Sequence, residues 1–436
     1  MKFTFLAGLW VVLFFSALAT AQQKYDLLLK GGHLVDPKNQ ISGVRDLVIT
    51  SGVVAMVGTN IDPAQALKVV DVSGLYVVPG LIDMHVHVYA GTGEKGSYAG
   101  DNSLYPDGFT FRAGVTTVAD AGCAGWRNFE DFKQRVIDRS KTRVLAFLNI
   151  VGQGMRGDAF EHILADMEVK PTVETALRHK GLIVGIKTAH YTGPEWTPVE
   201  RAVEAGKLTH LPVMVDFGSN RPERPLNQLL LEKLRPGDIY THVYSGLRHE
   251  QVEGGKVNPA LWEARKRGII FDVGHGGGSF FWRIAAPAVR EGFRPDSIST
   301  DLHIGSMNSG MKDQLNVMSK FLALGLPLEE VVQDSTWNPA RFLQHLELGH
   351  LTAGATADIA VLRLENGNFG FVDAYGARRG GQRKLVCELT IRGGKVVYDL
   401  NGISRPNWDQ LPGDYRQTGD ARWDGISPRP AEGGTK

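Results

Sequence analysis

The sequence predicts an α/β protein: a distorted (β/α)8 TIM barrel over residues 80–345, carrying a small β-sandwich formed by the N- and C-terminal segments on either side of it. Three observations predict this. Residues 80–345 alternate eight apolar runs with amphipathic, helix-like stretches, the rhythm and size of a closed barrel ringed by helices. The flanking segments, 22–79 and 346–402, use a different idiom of short strand-like runs broken by Gly, Pro and Asp. Finally, His, Lys or Asp stands near the end of six of the eight runs, on the face where a barrel gathers its active site.

In chain order, residues 1–21, "MKFTFLAGLWVVLFFSALATA", join one lysine and a long apolar stretch to a small-x-small ending at Ala19, Thr20 and Ala21. This pattern predicts a secretory signal cleaved after Ala21, so the mature chain begins near Gln22 and works in a periplasm or outside the cell. No later segment has the length and apolarity of a membrane span. Residues 22–79 follow with "YDLLLKGGHLVD", "VRDLVITSGVVAMVG" and "LKVVDVSGLYVVPG", and 346–402 answer with "LTAGATADIAVLRL" and "CELTIRGGKVVYDL". Chain ends often lie close together, so the two segments are expected to meet as one split unit.

The barrel strands are expected at "GLIDMHVHV", "VTTVADAG", "RVLAFLNIVG", "LIVGIKTAH", "LPVMVDFG", "DIYTHVYSG", "GIIFDVGHG" and "SISTDLH". Helices are expected at "NFEDFKQRVIDRS", "TVETALRHK", "TPVERAVEAGKL", "PLNQLLLEKL", "NPALWEARKR" and "MKDQLNVMSKFLALG". A doubly wound sheet is the second choice, and no G-x-G-x-x-G phosphate loop supports it. Residues 403–436, rich in Gly, Pro, Arg and Asp, read as a surface arm.

Composition narrows the function. Lys plus Arg number 48 against 47 for Asp plus Glu, which gives no electrostatic argument for nucleic acid or an anionic membrane. The two cysteines, Cys123 and Cys387, are far apart and make no disulfide scaffold, and export makes a reactive thiol an unattractive engine.

Histidine, lysine and aspartate at the strand ends suit metal chemistry better. In a strand, residues i and i+2 share a face, so His85 and His87 can hold one ion. Lys187, Asp216, His242, His275 and Asp301 close the fourth to eighth runs. Taken singly each has a bland alternative: a snorkelling lysine, a hydrogen-bonded loop histidine, a helix cap. Their common register with the barrel count is what favours a metal site.

The motifs "PGLIDMHVHV", "AGVTTVADAG" at 113–122, "GLIVGIKTAH", "THVYSG", "FDVGHG", "STDLH" and "GHLTAGATADIAVL" run through essentially the whole mature chain. On them the sequence resembles the amidohydrolase superfamily, in its dihydroorotase-like and N-acyl-amino-acid deacetylase branch. The resemblance implies a distorted barrel with a small β-sandwich from both chain ends. It also implies one or two divalent metals, commonly zinc, and hydrolysis of amide, cyclic amide or ester-like bonds by metal-activated water.

The ligand chemistry is consistent with that implication. His85, His87 and Asp301 are expected to hold a first ion and His242 a second. An ammonium would repel both ions, so Lys187 serves only as N6-carboxylysine, a carbamate whose two oxygens can bridge them. Asp301 has a second expected role, taking the proton of the attacking water and returning it to the leaving group. The departure from the pattern is Asp216, where related sites often have histidine; it either ligates through its carboxylate or falls short of the ion. His275 is left between metal and substrate binding. The loops offer Tyr98, Tyr191, Trp196, Arg221 and Arg224 for substrate, with an arginine suited to a carboxylate. The "GHGGGSFFW" segment is expected either to close over an acyl group or to pack against the barrel.

Deacylation of N-acyl amino acids or related small acylated acids therefore leads. A lactone, arylester or O-acetyl hydroxy-acid hydrolase comes next, then a cyclic amidase of dihydroorotase or hydantoinase type, and last a noncatalytic small-ligand-binding protein. The expected partner is a small acylated molecule, with no nucleic acid and no membrane span after leader removal; a homo-oligomer is compatible with the composition.

Overall fold

A computed structural model describes residues 24–218 and 220–411; the expected leader, 1–21, and residues 412–436 of the expected arm lie outside them. The barrel sheet passes in parallel through Leu81–Val86, Val115–Gly125, Arg143–Asn149, Ile183–Thr188, Val213–Val215, Ile239–Tyr240 and Ile270–Phe271, each strand bonded to the next. Every residue of the first, second and fourth of these is buried. Helices cover a parallel sheet on the outside and its own side chains fill the inside, so such strands read as unbroken apolar runs. An eighth segment, 297–302, is not a regular strand. It bridges Asp272 through Ser297 and Val86 through Leu302, both in parallel, and so closes the ring as the distorted barrel that the sequence predicts.

All six expected helices form, at Phe129–Arg135, Val169–Arg178, Thr197–Thr209, Leu226–Gln228 continuing as a π-turn, Pro259–Lys266 and Gln314–Ala323. Five more, Trp282–Arg290, Leu328–Gln333, Trp337–Phe342 and the four-residue Asp158–Glu161 and Ile304–Met307, were not legible. Trp282–Arg290 carries Pro287 inside it, and a proline within an apolar stretch argues against a helix on sequence grounds. Within the "SFFW" that leads into it Phe280 is fully buried, and Trp282, the first helical residue, donates its indole N–H to the Phe371 carbonyl at 3.1 Å. Of the two roles open to that segment, packing is the one the fold displays. Among the described residues no helix is long and apolar enough to cross a membrane.

The second sheet joins the two chain ends. Its order is Lys395–Asp399, Arg378–Arg392, Ile359–Val372, Tyr76–Pro79, Leu27–Asp36, Ile41–Thr50, Val53–Gly58, with Val69–Asp71 beside Leu27–Asp36. The seam is Ile359–Val372 against Tyr76–Pro79, one residue before the first barrel strand begins. Leu27, Leu29, Ile49, Val77, Ile359 and Leu389 form its buried core. The Ile359–Val372/Arg378–Arg392 hairpin is longer than its sequence suggested, because glycines at 367, 370, 380 and 381 read as loop. It reaches the barrel helices, where the Leu385 N–H donates to Ser319 Oγ and Asp373 accepts from the Trp282 N–H.

Candidate functional site

His85 lies within the first barrel strand and His87 just beyond it, and the two rings meet edge-on with centroids 5.6 Å apart. Asp301 approaches from the closing segment, its Oδ1 2.8 Å from His87 Nε2 and 3.7 Å from His85 Nε2. That oxygen is buried and accepts no well-formed hydrogen bond. An orphaned carboxylate oxygen facing two imidazole nitrogens is costly unless a cation shares it. One ligand atom from each of His85, His87 and Asp301 fits within a 4.8 Å group, so this donor set suits a divalent ion.

Lys187, near the end of the fourth strand and fully buried, places Nζ 3.5 Å from His85 Nε2. Gly122 makes this approach feasible. A Cβ there would lie 2.6 Å from the Lys187 stem, and its φ of +93° is strained for any L side chain. The His242 ring lies 5.1 Å from that of His85 and has its Nε2 3.3 Å from Asp216 Oδ2. His190, three residues after Lys187, brings its Nε2 to 3.1 Å from the same oxygen. Arg248 holds the other Asp216 oxygen at 2.5 Å.

The four histidines share one arrangement: Nδ1 is engaged from behind and Nε2 faces the chamber. Thr241 donates its hydroxyl to Asp272 and so accepts from His85 Nδ1 at 3.0 Å. His87 Nδ1 meets the Cys123 thiol at 3.1 Å, His242 Nδ1 donates to the Gly274 carbonyl at 2.6 Å, and His190 Nδ1 donates to Glu161 at 2.8 Å. For His85 and His242 these partners require the proton on Nδ1 and leave Nε2 free to serve an ion. Gly274 is part of this device, since a Cβ there would strike Thr241 Oγ1 and His242 Nδ1 at 2.4 and 2.8 Å. The "DVGHGG" glycines thus serve close packing at this position as well as chain reversal.

Three chamber residues, His190, His242 and Asp301, adopt positive φ of 57°, 64° and 52°. Left-handed backbone at non-glycine positions costs of order 1–3 kcal/mol each and collects at functional sites.

Burial, then the neighbouring Lys187, lowers the His85 pKa to about 3, and burial likewise lowers His87, so both rings are neutral donors. Burial also lowers Lys187, which favours the neutral amine, the form able to attack carbon dioxide. For Asp301 burial opposes the charge, but His303, His87 and His85 outweigh it and hold the carboxyl well below its ordinary value. Asp216 behaves similarly, with Arg248, His242 and His190 outweighing burial. Burial works against a charge on His190, and Glu161 and Asp216 overcome it, raising its pKa well above the usual histidine value.

The chamber therefore brings together His85, His87, Lys187, Asp216, His242 and Asp301. His275 stands apart: its Nε2 accepts from Lys320 Nζ at 2.6 Å, its Nδ1 donates to the Gly276 carbonyl, and its ring stacks on Phe280. Tyr98 packs over His87 and His303 with centroids at 4.5 and 5.1 Å, forming an aromatic wall. Tyr191 donates to Glu195, and Trp196 stacks on Phe217. Arg224 is buried, donates to the Tyr191 carbonyl and lies over the Tyr191 and Phe217 rings, while Arg221 is exposed.

Sequence reasoning missed His190, Glu161, Arg248 and His303. His190 ends the quoted "LIVGIKTAH" and Arg248 follows "THVYSG" by two residues, so position beside a strand end was the available signal. Glu161 sits on the four-residue helix Asp158–Glu161 and had none.

Comparison with known proteins agrees with this geometry. The profile of the Amidohydrolase family matches residues 281–397. The chain is 33% identical over 340 residues to a deacetylase of Brucella anthropi, covering 76% of this chain and 82% of that protein. It is 30% identical over 389 residues to a deacetylase of Enterococcus faecalis, covering 86% and 99%. Among solved structures it superimposes on an adenine deaminase with a TM-score of 0.77 at 28% identity, over 86% of this chain and 100% of that one. On a dihydroorotase the TM-score is 0.72 at 29% identity, over 86% and 99%.

Proposed function

Because the chain belongs to the amidohydrolase superfamily, in its dihydroorotase- and deacetylase-related branch, we propose that this metal-dependent hydrolase deacylates N-acyl amino acids or closely related small acylated acids. The observation that carries the reading is the orphaned Asp301 oxygen between His85 and His87.

In the proposed mechanism His85, His87 and Asp301 hold one divalent ion, with zinc the first choice for this donor set. Lys187 as a carbamate, His242 and Asp216 serve a second. Bound there, such ions would supply Lewis acidity toward the scissile carbonyl and would lower the pKa of a water molecule. The Asp301 carboxylate orients that water, takes its proton and delivers it to the leaving nitrogen, which would otherwise depart as a poor anion. Thr241 and Gly274 keep His85 and His242 in the tautomer that presents Nε2. The Tyr98 ring shields His87 and His303 from bulk water. Carboxylation of Lys187 forms one N–C bond to carbon dioxide and releases one amine proton; its burial beside His85 supports that step. The apolar leader supports export to a periplasm or medium, where such an enzyme would scavenge acylated compounds.

The test is a substrate panel of N-acetyl amino acids, O-acetyl hydroxy acids, hydantoins and lactones, assayed after chelation and again after zinc and bicarbonate are restored. The reading expects chelator-sensitive release of acetate, fastest from the N-acetyl amino acids. Preference for the esters or lactones would reassign the leaving group, and ring opening of hydantoins alone would make the protein a cyclic amidase. Turnover indifferent to chelation would reject the metal mechanism.

A further inference from the structure

Behind Asp301 lies a cleft that the metal chamber does not share. Thr300 and Leu302 form its floor, while Asp301 between them faces His85 and His87. Phe109, Ala113, Val115 and Met307 make its sides, and none of the six chamber residues borders it. Its volume is about 130 Å³. An apolar cavity of about 150 Å³ holds a benzene ring, so this cleft has room for a body of roughly four to six carbon atoms.

The polar groups of the interior are engaged or enclosed. Asp83 accepts from the hydroxyl and N–H of Thr300 and from the His85 N–H, and Gln314 donates its amide to the Ile298 carbonyl and keeps Oε1 buried. What remains inside is apolar surface. The rim differs. Arg112, on the turn Phe111–Ala113, and Lys312, just before the helix Gln314–Ala323, are exposed, and neither side chain forms a hydrogen bond or ion pair with a described residue. Asp313 beside them is occupied as the cap of that helix, accepting from the Asn316 N–H. Arg112 and Lys312 also border an adjoining recess of about 240 Å³, where Lys384 adds a third cation. Positive charge thus stands in excess over an apolar interior.

We infer that this cleft is a second ligand site, separate from the chamber, for a small aliphatic carboxylic acid: its carboxylate lies between Arg112 and Lys312, and its hydrocarbon body enters among Phe109, Val115, Leu302 and Met307. Arginine can grip a carboxylate through two N–H groups. An ammonium would be repelled at the rim, and a polar body would lose its hydration inside without gaining a partner. Because the floor is the chain on either side of Asp301, a bound acid packs against the segment that aims that residue.

The probe is hexanoate, titrated calorimetrically into the full chain as purified and again after chelation, since a carboxylate held by chamber metals would be lost with them. One site should persist in both. Affinity should rise about fourfold per methylene from acetate to hexanoate, the transfer value of a buried CH₂, and should fall with added salt because the rim charges are exposed. Hexanol and hexylamine should bind about tenfold more weakly or worse, the scale of one charge-assisted hydrogen bond. The double variant Arg112→Gln, Lys312→Gln, checked for an unchanged melting profile, should lose binding by a similar factor, and Arg112→Lys should keep most of it. In hydrogen exchange, hexanoate should slow peptides covering 106–115 and 300–312. No uptake of hexanoate, or parental affinity in the double variant, would overturn the site. Binding abolished by chelation, or protection confined to the strands of His85, Lys187 and His242, would return the acid to the chamber and overturn it equally. Hexanol binding as tightly as hexanoate would overturn the carboxylate assignment.

Discussion

The two halves of the barrel are held by different forces. In the first, Val115–Gly125 and Arg143–Asn149 run eleven and seven residues and are joined by backbone ladders. In the second, Ile239–Tyr240 and Ile270–Phe271 are two residues each, and 297–302 is held on either side by isolated bridges. Scattered backbone bonds remain there, from the Val273, His275 and Gly276 N–H groups to the Ser297, Ser299 and Thr300 carbonyls and from the His87 N–H to the Leu302 carbonyl, and buried carboxylates reinforce them. Asp272 accepts from Thr241 of the sixth strand end and from Ser297 and Ser299 of the eighth segment, while Asp83 of the first strand accepts from the N–H and hydroxyl of Thr300. The difference teaches where the chemistry is aimed. Irregular backbone lets His242 and Asp301 take left-handed conformations and turn inward, which a continuous ladder would forbid.

The largest effect should come from Asp301→Asn. If the irregular half exists to aim a proton carrier, this variant keeps its fold and loses kcat by about 10²–10⁴-fold. Turnover near the parent's with metal retained would reduce Asp301 to a structural role.

Asp272→Ala tests that reinforcement directly. It strands three hydroxyls and the Thr241–His85 contact, so urea unfolding should show a loss of about 3 kcal/mol or more. A loss below about 1 kcal/mol would mean that packing and the scattered backbone bonds hold the second half without the carboxylate.

A smaller, pH-dependent effect belongs to Lys320, on the helix Gln314–Ala323. Burial lowers its pKa to about 7 from 10.5. Since the native state binds the proton less tightly than the unfolded chain, its penalty is full below pH 7 and shrinks as pH rises toward 10.5. Relative to Lys320→Met, the parent should gain stability across that window by up to about 1.4 kcal/mol per pH unit. A difference between the two proteins that stays constant from pH 7 to 10 would contradict this.

Least should happen at Thr116→Val in the laddered half. Thr116 Oγ1 is buried and finds no partner among the described residues, so its replacement by methyl should shift stability by no more than about 0.5 kcal/mol, or raise it. A large loss there would break the contrast between the halves.

The sequence alone determined the order of the barrel runs and the face shared by His85 and His87, whereas the single sheet shared by the two chain ends emerged from the tertiary structure. The order and the shared face follow from periodicity and strand direction, which are local. Lys187, Asp216, His242 and Asp301 could be placed at one mouth because parallel strands must all end on the same side. Tertiary structure decided which side chains complete the chamber. Arg224 looked suited to a substrate carboxylate, yet it is buried against Tyr191 and Phe217, while Arg248 reaches Asp216 across 32 residues of chain. Glu161 meets His190 from a short helix 29 residues earlier, and His303 joins Tyr98 and His87 from the far end of the barrel. Closing the sheet into a ring brings loops of distant sequence into one volume of low dielectric, and there each charge is settled by its nearest opposite. Sequence spacing carries no record of that proximity.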